Sequence, residues 1–141
     1  MHSTNYVNTF IQVAEDSPAS SATVPPQRAT ASVAELTFRM IAEAPYRYTS
    51  DDVVFTVWAD RRAVPEGERA AAREQFFAKG QPCLRSSDLG KRYGWGIHSD
   101  AEGRIALVAV GSAEYARLAE GRAPDGTTVA LTRAMRTSRR K

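Results

Sequence analysis

The chain has 141 residues, of which 43% are hydrophobic and 25% are charged, a composition typical of one globular domain with its own core. No apolar run approaches the ~20 residues that a membrane span requires. Residues 1–14 lack the basic flank and apolar core of a secretory signal, so we predict a cytoplasmic protein without membrane contact. The chain has one cysteine, which excludes an internal disulfide.

The positive net charge of +3 originates at the C-terminus, which holds five basic residues: Arg133, Arg136, Arg139, Arg140 and Lys141. The rest of the chain has 14 basic and 16 acidic residues, so its net charge is weakly negative. We therefore predict a domain over 1–132 and a basic tail over 133–141. A basic tail of this kind is usually a solvated chain end that keeps the protein soluble and binds nothing. The alternative is a weak association with nucleic acid, or a contact with another protein.

The N-terminal third predicts a strand, a loop and a helix. Residues 6–14 place apolar side chains on both faces, which favours a strand, with a helix as the alternative. Residues 17–31 are rich in Ser, Ala, Thr and Pro without periodicity, and predict an irregular loop. Ser32 and Glu35 have the spacing of a capping box. A helix over 32–44 follows, with a core-facing stripe of Val33, Leu36, Met40 and Ile41.

The next part predicts a second strand and a second helix. The β-branched and aromatic run over 53–59 favours a strand. Asp51 and Asp52 precede it, and we interpret them as residues that solvate or cap its start, with metal binding or proton sharing as the alternative. A proline and two glutamates then open a helix over 65–79, which Gly80 ends.

Residues 93–110 carry the clearest hairpin signal. In the first strand, over 93–98, three large apolar side chains alternate with two glycines and His98, which gives the strand one apolar face and one bare face. Gly103 suits the left-handed position of the turn. The return strand, over 104–110, is apolar on both faces and is predicted to be a central strand.

A short helix over 112–120, a turn and a last strand over 127–132 complete the chain. Strands follow one another in pairs instead of alternating strictly with helices, which argues against a doubly wound sheet. We therefore predict an α+β fold. Its antiparallel or mixed sheet has five to six strands, two main helices pack on the sheet, and one short helix is added.

The bare face of the first hairpin strand is the candidate site. Glycine backbone beside a histidine and several cations suits a small anionic ligand such as a phosphate or carboxylate, which predicts a non-catalytic binding module. The predicted ligand-binding residues are Lys91, Arg92, Trp95, His98 and Arg85. The structural alternative is that a helix packs against Gly94 and Gly96, Tyr93 and Trp95 fill the core, and His98 bonds the hairpin loop.

An enzyme is the second hypothesis. It uses His98 as a general acid or base, with Asp51 or Asp52 as its carboxylate partner. Cys83 lacks the surroundings of a cysteine nucleophile and is predicted to be a buried free thiol. No metal-ligand spacing and no nucleotide-binding glycine motif is present, so we predict neither a metal nor a cofactor.

Several motifs also resemble those of a family of small bacterial proteins of unknown function. The resemblance covers nearly the whole chain, with the N-terminal motif Met-His-Ser-Thr-Asn-Tyr at residues 1–6 and Lys-Arg-Tyr-Gly-Trp-Gly-Ile-His-Ser at residues 91–99 as its most specific parts. Further matches lie at residues 44–46, 48–53 and 79–83. The resemblance implies a single stand-alone domain and no particular activity.

Overall fold

The computed structural model describes residues 1–137, and this part of the chain forms a mixed sheet of four strands covered by helices. The strands are β1 (Thr9–Gln12), β2 (Trp95–Ser99), β3 (Ile105–Ala109) and β4 (Ala130–Arg133). Their order is β3-β2-β1-β4; β1 is antiparallel to β2 and parallel to β4, and β2 is antiparallel to β3. The α+β class is confirmed, with fewer strands than the five to six predicted.

The helices are α1 (Val33–Glu43), α2 (Ser50–Arg61), α3 (Arg69–Phe76), α4 (Asp88–Lys91) and α5 (Ala113–Ala119). Two short 3-10 turns, Glu66–Glu68 and Leu84–Ser86, precede α3 and α4. The helix predicted over 65–79 is therefore divided into a 3-10 turn and the shorter α3. The helix predicted over 112–120 is α5, which Ser112 caps by accepting a bond from the backbone N–H of Tyr115.

The strand predicted over 53–59 is wrong, because these residues lie within α2. Thr49 caps this helix in a complete capping box, in which the Thr49 hydroxyl accepts from the Asp52 N–H and the Asp52 carboxylate accepts from the Thr49 N–H. Val53 and Val57 face the sheet core, while Phe55 and Ala59 face α3. Both pairs have the i, i+4 spacing of a helix with two apolar faces.

The predicted start of α1 is confirmed in part. The Ser32 hydroxyl accepts a bond from the backbone N–H of Glu35 at 3.1 Å, while the Glu35 carboxylate accepts from the backbone of Arg28 and pairs with Arg39. Ile41 lies in the core as predicted. Val33, predicted to face the core, is 51% exposed.

The two faces of the sheet bury separate apolar clusters. On the first face, strand residues pack against α1 and α2; this cluster includes Ile11, Ile97, Ile105, Ile41 and Val53. On the second face, they pack against α5 and the segment that follows it; this cluster includes Phe10, Val108, Leu118, Ala123 and Val129. Because alternate residues of a strand point to opposite faces, Gly96 and His98 lie on the second face and Trp95 and Ile97 on the first.

The hairpin is confirmed, with Gly103 in the left-handed conformation at φ +79°. The central position predicted for residues 104–110 is wrong, since β3 is an edge strand. The first residue of β3, Ile105, nevertheless has hydrogen-bond partners on the open edge of the sheet. Tyr46 N–H donates to Ile105 O at 2.8 Å, and Ile105 N–H donates to Tyr48 O at 2.9 Å. The segment between α1 and α2 therefore covers the start of this edge.

The ends of the domain differ from the predicted bounds. β1 is shorter than 6–14, and β4 begins and ends later than 127–132. Residues 17–31 contain neither helix nor strand. From the segment predicted as a tail, Arg133 lies in β4, Ala134 is buried and Thr137 donates to Asp16.

Arg139, Arg140 and Lys141 lie outside the described residues, and the association predicted for the basic tail stays a prediction. Among the helices that are described, none is long and apolar enough to cross a membrane.

The N-terminal motif is anchored on the start of α2. The carboxylate of Asp51, which is 2% exposed, accepts bonds from the Thr4 N–H at 2.6 Å, the Thr4 hydroxyl at 2.7 Å and the Ser3 hydroxyl at 2.8 Å. The Asn5 side chain in turn accepts from the Asp51 N–H at 2.9 Å. Asp51 therefore fastens the first residues of the chain to the domain.

Candidate functional site

The predicted site residues do not share one surface. Trp95 points to the first face of the sheet, where its ring lies 5.4 Å from that of Phe38, and its indole N–H donates to Thr23 O at 2.8 Å. His98 points to the second face. Trp95 therefore packs in the loop and α1 region and offers no stacking surface beside His98.

The space predicted beside the hairpin glycines is occupied by the protein itself. A Cβ at Gly96 would lie 2.7 Å from two ring carbons of Phe10 and 3.0 Å from the ring of Tyr115. Gly94, at φ +82°, lies against the backbone of Ser21 and Ala22. The glycines are needed for close packing, and the prediction that they leave room for a ligand is wrong.

The three predicted cations lie near α4, and none of them lines the pocket that contains His98. Arg92 pairs with Asp88 at 3.4 Å, and Arg85 donates to Arg133 O at 2.6 Å. Lys91 is the last residue of α4. Anion binding by these residues stays a prediction, separate from His98.

His98 instead lines a pocket at the end of the sheet where β2 ends and β1 begins. The pocket has a volume of about 360 Å³, within the usual range for a small-molecule site. We call it the His98 pocket. It is formed by the start of β1, the β2–β3 turn, Tyr46 and the turn after α5, with the polar lining residues Asn8, Tyr46, His98, Asp100, Glu102, Asp125 and Thr127.

His98 is the buried polar group of this pocket, at 4% exposure. Its Nδ1 shares a hydrogen bond of 2.8 Å with the Tyr46 hydroxyl, and its Nε2 is buried with no partner among the described residues. Burial lowers the pKa of His98 below its ordinary value of 6.5, while the charges of Asp100, Glu114 and Asp125 act in the opposite direction. The ring is therefore neutral at neutral pH, and Nε2 can make one more hydrogen bond.

The pocket is acidic. Asp100, Glu102 and Asp125 line it, and within residues 1–137 no lysine or arginine does. Turn bonds hold two of these carboxylates, since Asp100 accepts from the Glu102 and Arg104 N–H groups and Asp125 accepts from the Thr127 N–H. The bonds from Thr127 lower the pKa of Asp125. This field favours a positive group and opposes the anion predicted beside His98.

Two residues of the pocket wall have left-handed backbone conformations. Tyr46 has φ +60° and Asn8 has φ +46°. Asparagine adopts this conformation readily, whereas for tyrosine it is uncommon and costs free energy. Burial raises the pKa of Tyr46 to about 12, with smaller contributions from Glu114, Asp100 and Asp125, so its hydroxyl stays protonated beside His98.

The residues assigned to the enzyme hypothesis lie elsewhere. Asp51 holds the N-terminus, and Asp52 caps α2 and pairs with Arg73 at 2.9 Å. Neither lines the His98 pocket, so neither acts as the predicted carboxylate partner of His98. Cys83 is a free thiol as predicted but is half-buried instead of buried, and it lies 3.4 Å from the Tyr6 hydroxyl.

Sequence reasoning singled out His98 but missed its neighbours. Asp100 belongs to the hairpin turn and Asp125 to the turn after α5, where aspartate is common for local reasons alone. Tyr46 follows Pro45 in a connecting segment without periodicity. Nothing local to these positions indicates that the fold brings them to one pocket.

Among the described residues, no group of three or more His, Cys, Asp or Glu side chains is arranged to hold a metal ion.

The fold and pocket define a mixed α+β domain with a small acidic pocket at one end of its sheet. The chain belongs to the family of unknown function DUF6157, whose model matches residues 1–140. This membership confirms the predicted resemblance to a stand-alone family of unknown function. No curated protein and no solved structure matches the chain significantly.

Proposed function

We propose that the protein binds a small aliphatic amine, in its charged ammonium form, in the His98 pocket. The observation that carries the proposal is a pocket lined by three carboxylates and by His98, whose Nε2 is buried and has no partner among the described residues. A buried polar atom without a partner costs free energy, and a ligand that supplies the missing bond removes that cost.

Charge and hydrogen bonding agree on this ligand class. When Nδ1 carries the proton and donates to the Tyr46 hydroxyl, Nε2 presents a lone pair that accepts from an ammonium group. The carboxylates of Asp100, Glu102 and Asp125 supply the countercharge. A pocket lined by acidic groups and partly enclosed by protein concentrates a cation relative to bulk water.

The test is a thermal-shift and calorimetric comparison of putrescine, butanediol and succinate, which share one carbon skeleton and differ in charge. We expect putrescine to raise the melting temperature, because a ligand that binds only the folded state stabilises it by mass action. Butanediol and succinate are expected to have no effect. Stabilisation by butanediol equal to that by putrescine, or no stabilisation by putrescine, would contradict the proposal.

Two variants place the site. Asp125→Asn keeps the oxygen that accepts from Thr127 and removes one charge, so putrescine should bind about tenfold more weakly. Asp60→Asn is the matched control, because Asp60 pairs with Arg69 and does not line the His98 pocket. Removing the Asp60 charge should leave putrescine binding unchanged. Equal effects of the two variants would show that only net charge matters.

The same screen tests the anion hypothesis for the residues near α4. Inorganic phosphate that stabilises the wild type, but not Arg92→Gln, would support an anion site there. Phosphate without effect on the wild type would remove that hypothesis. Neither result bears on the His98 pocket, because Arg92 does not line it.

A further inference from the structure

A second pocket lies between α1, α2 and the segment at residues 81–88, on the other face of the sheet from His98. Its volume is about 340 Å³. We call it the α1–α2 pocket. Its walls are mainly apolar, with Val33, Val54, Val57, Trp58, Phe76 and Leu84 contributing side chains.

The apolar wall is partly exposed to solvent. Val33, the first residue of α1, is 51% exposed although it lines this pocket. Trp58 belongs to an aromatic cluster, with its ring 5.0 Å from that of Phe76 and 5.9 Å from that of Phe55. A ligand chain in the pocket would therefore cover apolar surface that water now contacts, and burying such surface is favourable.

The charged groups of the pocket are mainly positive. Arg61 and Arg62 line it at the end of α2. Within residues 1–137, Arg61 is in no ion pair, and the Arg62 guanidinium lies 4.7 Å above the Trp58 ring. The one lining carboxylate, Asp88, is already paired with Arg92 at 3.4 Å. Within residues 1–137, therefore, neither Arg61 nor Arg62 forms an ion pair with a carboxylate.

The start of α1 adds to this positive field. Val33 and Ala34, its first two residues, line the pocket, and the partial positive charge of a helix N-terminus favours anions within the first turn. The first-turn carboxylate, Glu35, does not line the pocket and is paired with Arg39. An apolar wall together with two arginines and a helix N-terminus matches one ligand chemistry, an apolar chain that ends in a carboxylate.

We propose that the α1–α2 pocket binds a medium-chain fatty acid, whose hydrocarbon chain lies against the Trp58 wall and whose carboxylate is held by Arg61 and Arg62. This site is independent of the His98 pocket, since the two pockets share no residue and lie on opposite faces of the sheet. Failure of one proposal therefore leaves the other unaffected.

The test titrates the full chain with decanoate, decylamine and decanol below their micelle concentrations. These probes share the hydrocarbon chain and differ in the head group. The fluorescence of Trp58 reports binding, measured in the Trp95→Phe background because Trp95 is the only other tryptophan. We expect decanoate to bind at least tenfold more tightly than decanol or decylamine. Equal affinities, or no change in Trp58 fluorescence with decanoate, would overturn the proposal.

Variants separate the head-group site from the chain site. The double change Arg61→Gln with Arg62→Gln is expected to weaken decanoate about tenfold and to remove its advantage over decanol. Arg117→Gln, an exposed arginine of α5 on the opposite face, is the control and should leave affinity unchanged. A decanoate affinity that survives the double change would overturn the role of the arginines.

Cys83 supplies a second readout that does not depend on a variant. It is the single cysteine and lines the α1–α2 pocket. Bound decanoate should therefore slow its alkylation by iodoacetamide at least severalfold in the wild-type protein, while putrescine should not. Unchanged alkylation at a decanoate concentration that saturates the fluorescence signal would place the fatty acid elsewhere and contradict the proposal.

Discussion

Replacing Asp51 by alanine tests whether the N-terminal motif is held to the domain as the structure indicates. The change removes the acceptor of two donors on Thr4, at 2.6 and 2.7 Å. Thr4 is only 4% exposed, so its backbone N–H would stay buried without a partner, at about 1–3 kcal/mol. Its hydroxyl would lose the bond to a charged acceptor and keep only the Ser50 hydroxyl at 2.9 Å. The Ser3 hydroxyl also loses its acceptor but can bond water, because Ser3 is exposed.

We expect Asp51→Ala to lower the free energy of unfolding by about 3 kcal/mol in urea denaturation. For a domain of this size, that corresponds to a fall of roughly 10 °C in melting temperature. Asp60→Ala on the same helix is the control, since its ion pair with Arg69 is at the surface, where such pairs contribute about 1 kcal/mol or less. A loss at Asp51 no larger than that at Asp60 would refute the reasoning. A double-mutant cycle with Thr4→Val should give a coupling of at least about 1 kcal/mol.

Two further predictions concern the second face of the sheet. Gly96→Ala should destabilise the protein by about 1–3 kcal/mol in urea denaturation, because the new Cβ would lie 2.7 Å from the Phe10 ring, whereas Gly80→Ala meets open space and should cost little. Stability should also depend on the protonation of His98. Its folded pKa lies below the ordinary 6.5, so the unfolded chain takes up the proton first, and stability should fall as the pH drops through 6.5 and level off below the folded pKa. His98→Gln should remove this dependence, and His2→Gln should keep it.

Each of these two predictions has a contrary outcome. Equal stabilities of the two glycine variants would mean that the Phe10 ring moves aside without cost. A stability profile that is flat between neutral and mildly acidic pH in the wild type, or that His2→Gln abolishes, would mean that His98 is not buried as a neutral ring.

The helices differ in how well the sequence predicts them. α1 has one buried face and a capping serine, so its period and its start are visible in the residue pattern. α2 packs its Val53 and Val57 face on the sheet and its Phe55 and Ala59 face on α3. A helix that is buried on two sides lacks a polar stripe, and its β-branched residues then suggest a strand. The one local signal of a helix start is Thr49 three residues before Asp52, the spacing of a capping box.

The candidate site was predictable only where it depended on one strand. The alternation over 93–98 predicts that His98 and Trp95 point to different faces of the sheet, and the structure has this arrangement, with Trp95 against Phe38 and His98 in the pocket on the second face. What fills the glycine face depends on Phe10 and Tyr115, which come from β1 and α5. The acidic character of the pocket likewise depends on turns distant in the sequence. Such contacts follow from the topology of the sheet, which one sequence does not specify.

The most direct test of the His98 pocket observes the ring itself. With histidine labelled by nitrogen-15, only two imidazoles contribute signals, and NMR can follow both during a titration with putrescine. We predict that putrescine shifts the Nε2 resonance of His98 and leaves His2 unchanged, while succinate shifts neither. Contradiction would come from a His98 resonance that does not move at saturating putrescine, or from a succinate titration that moves it equally.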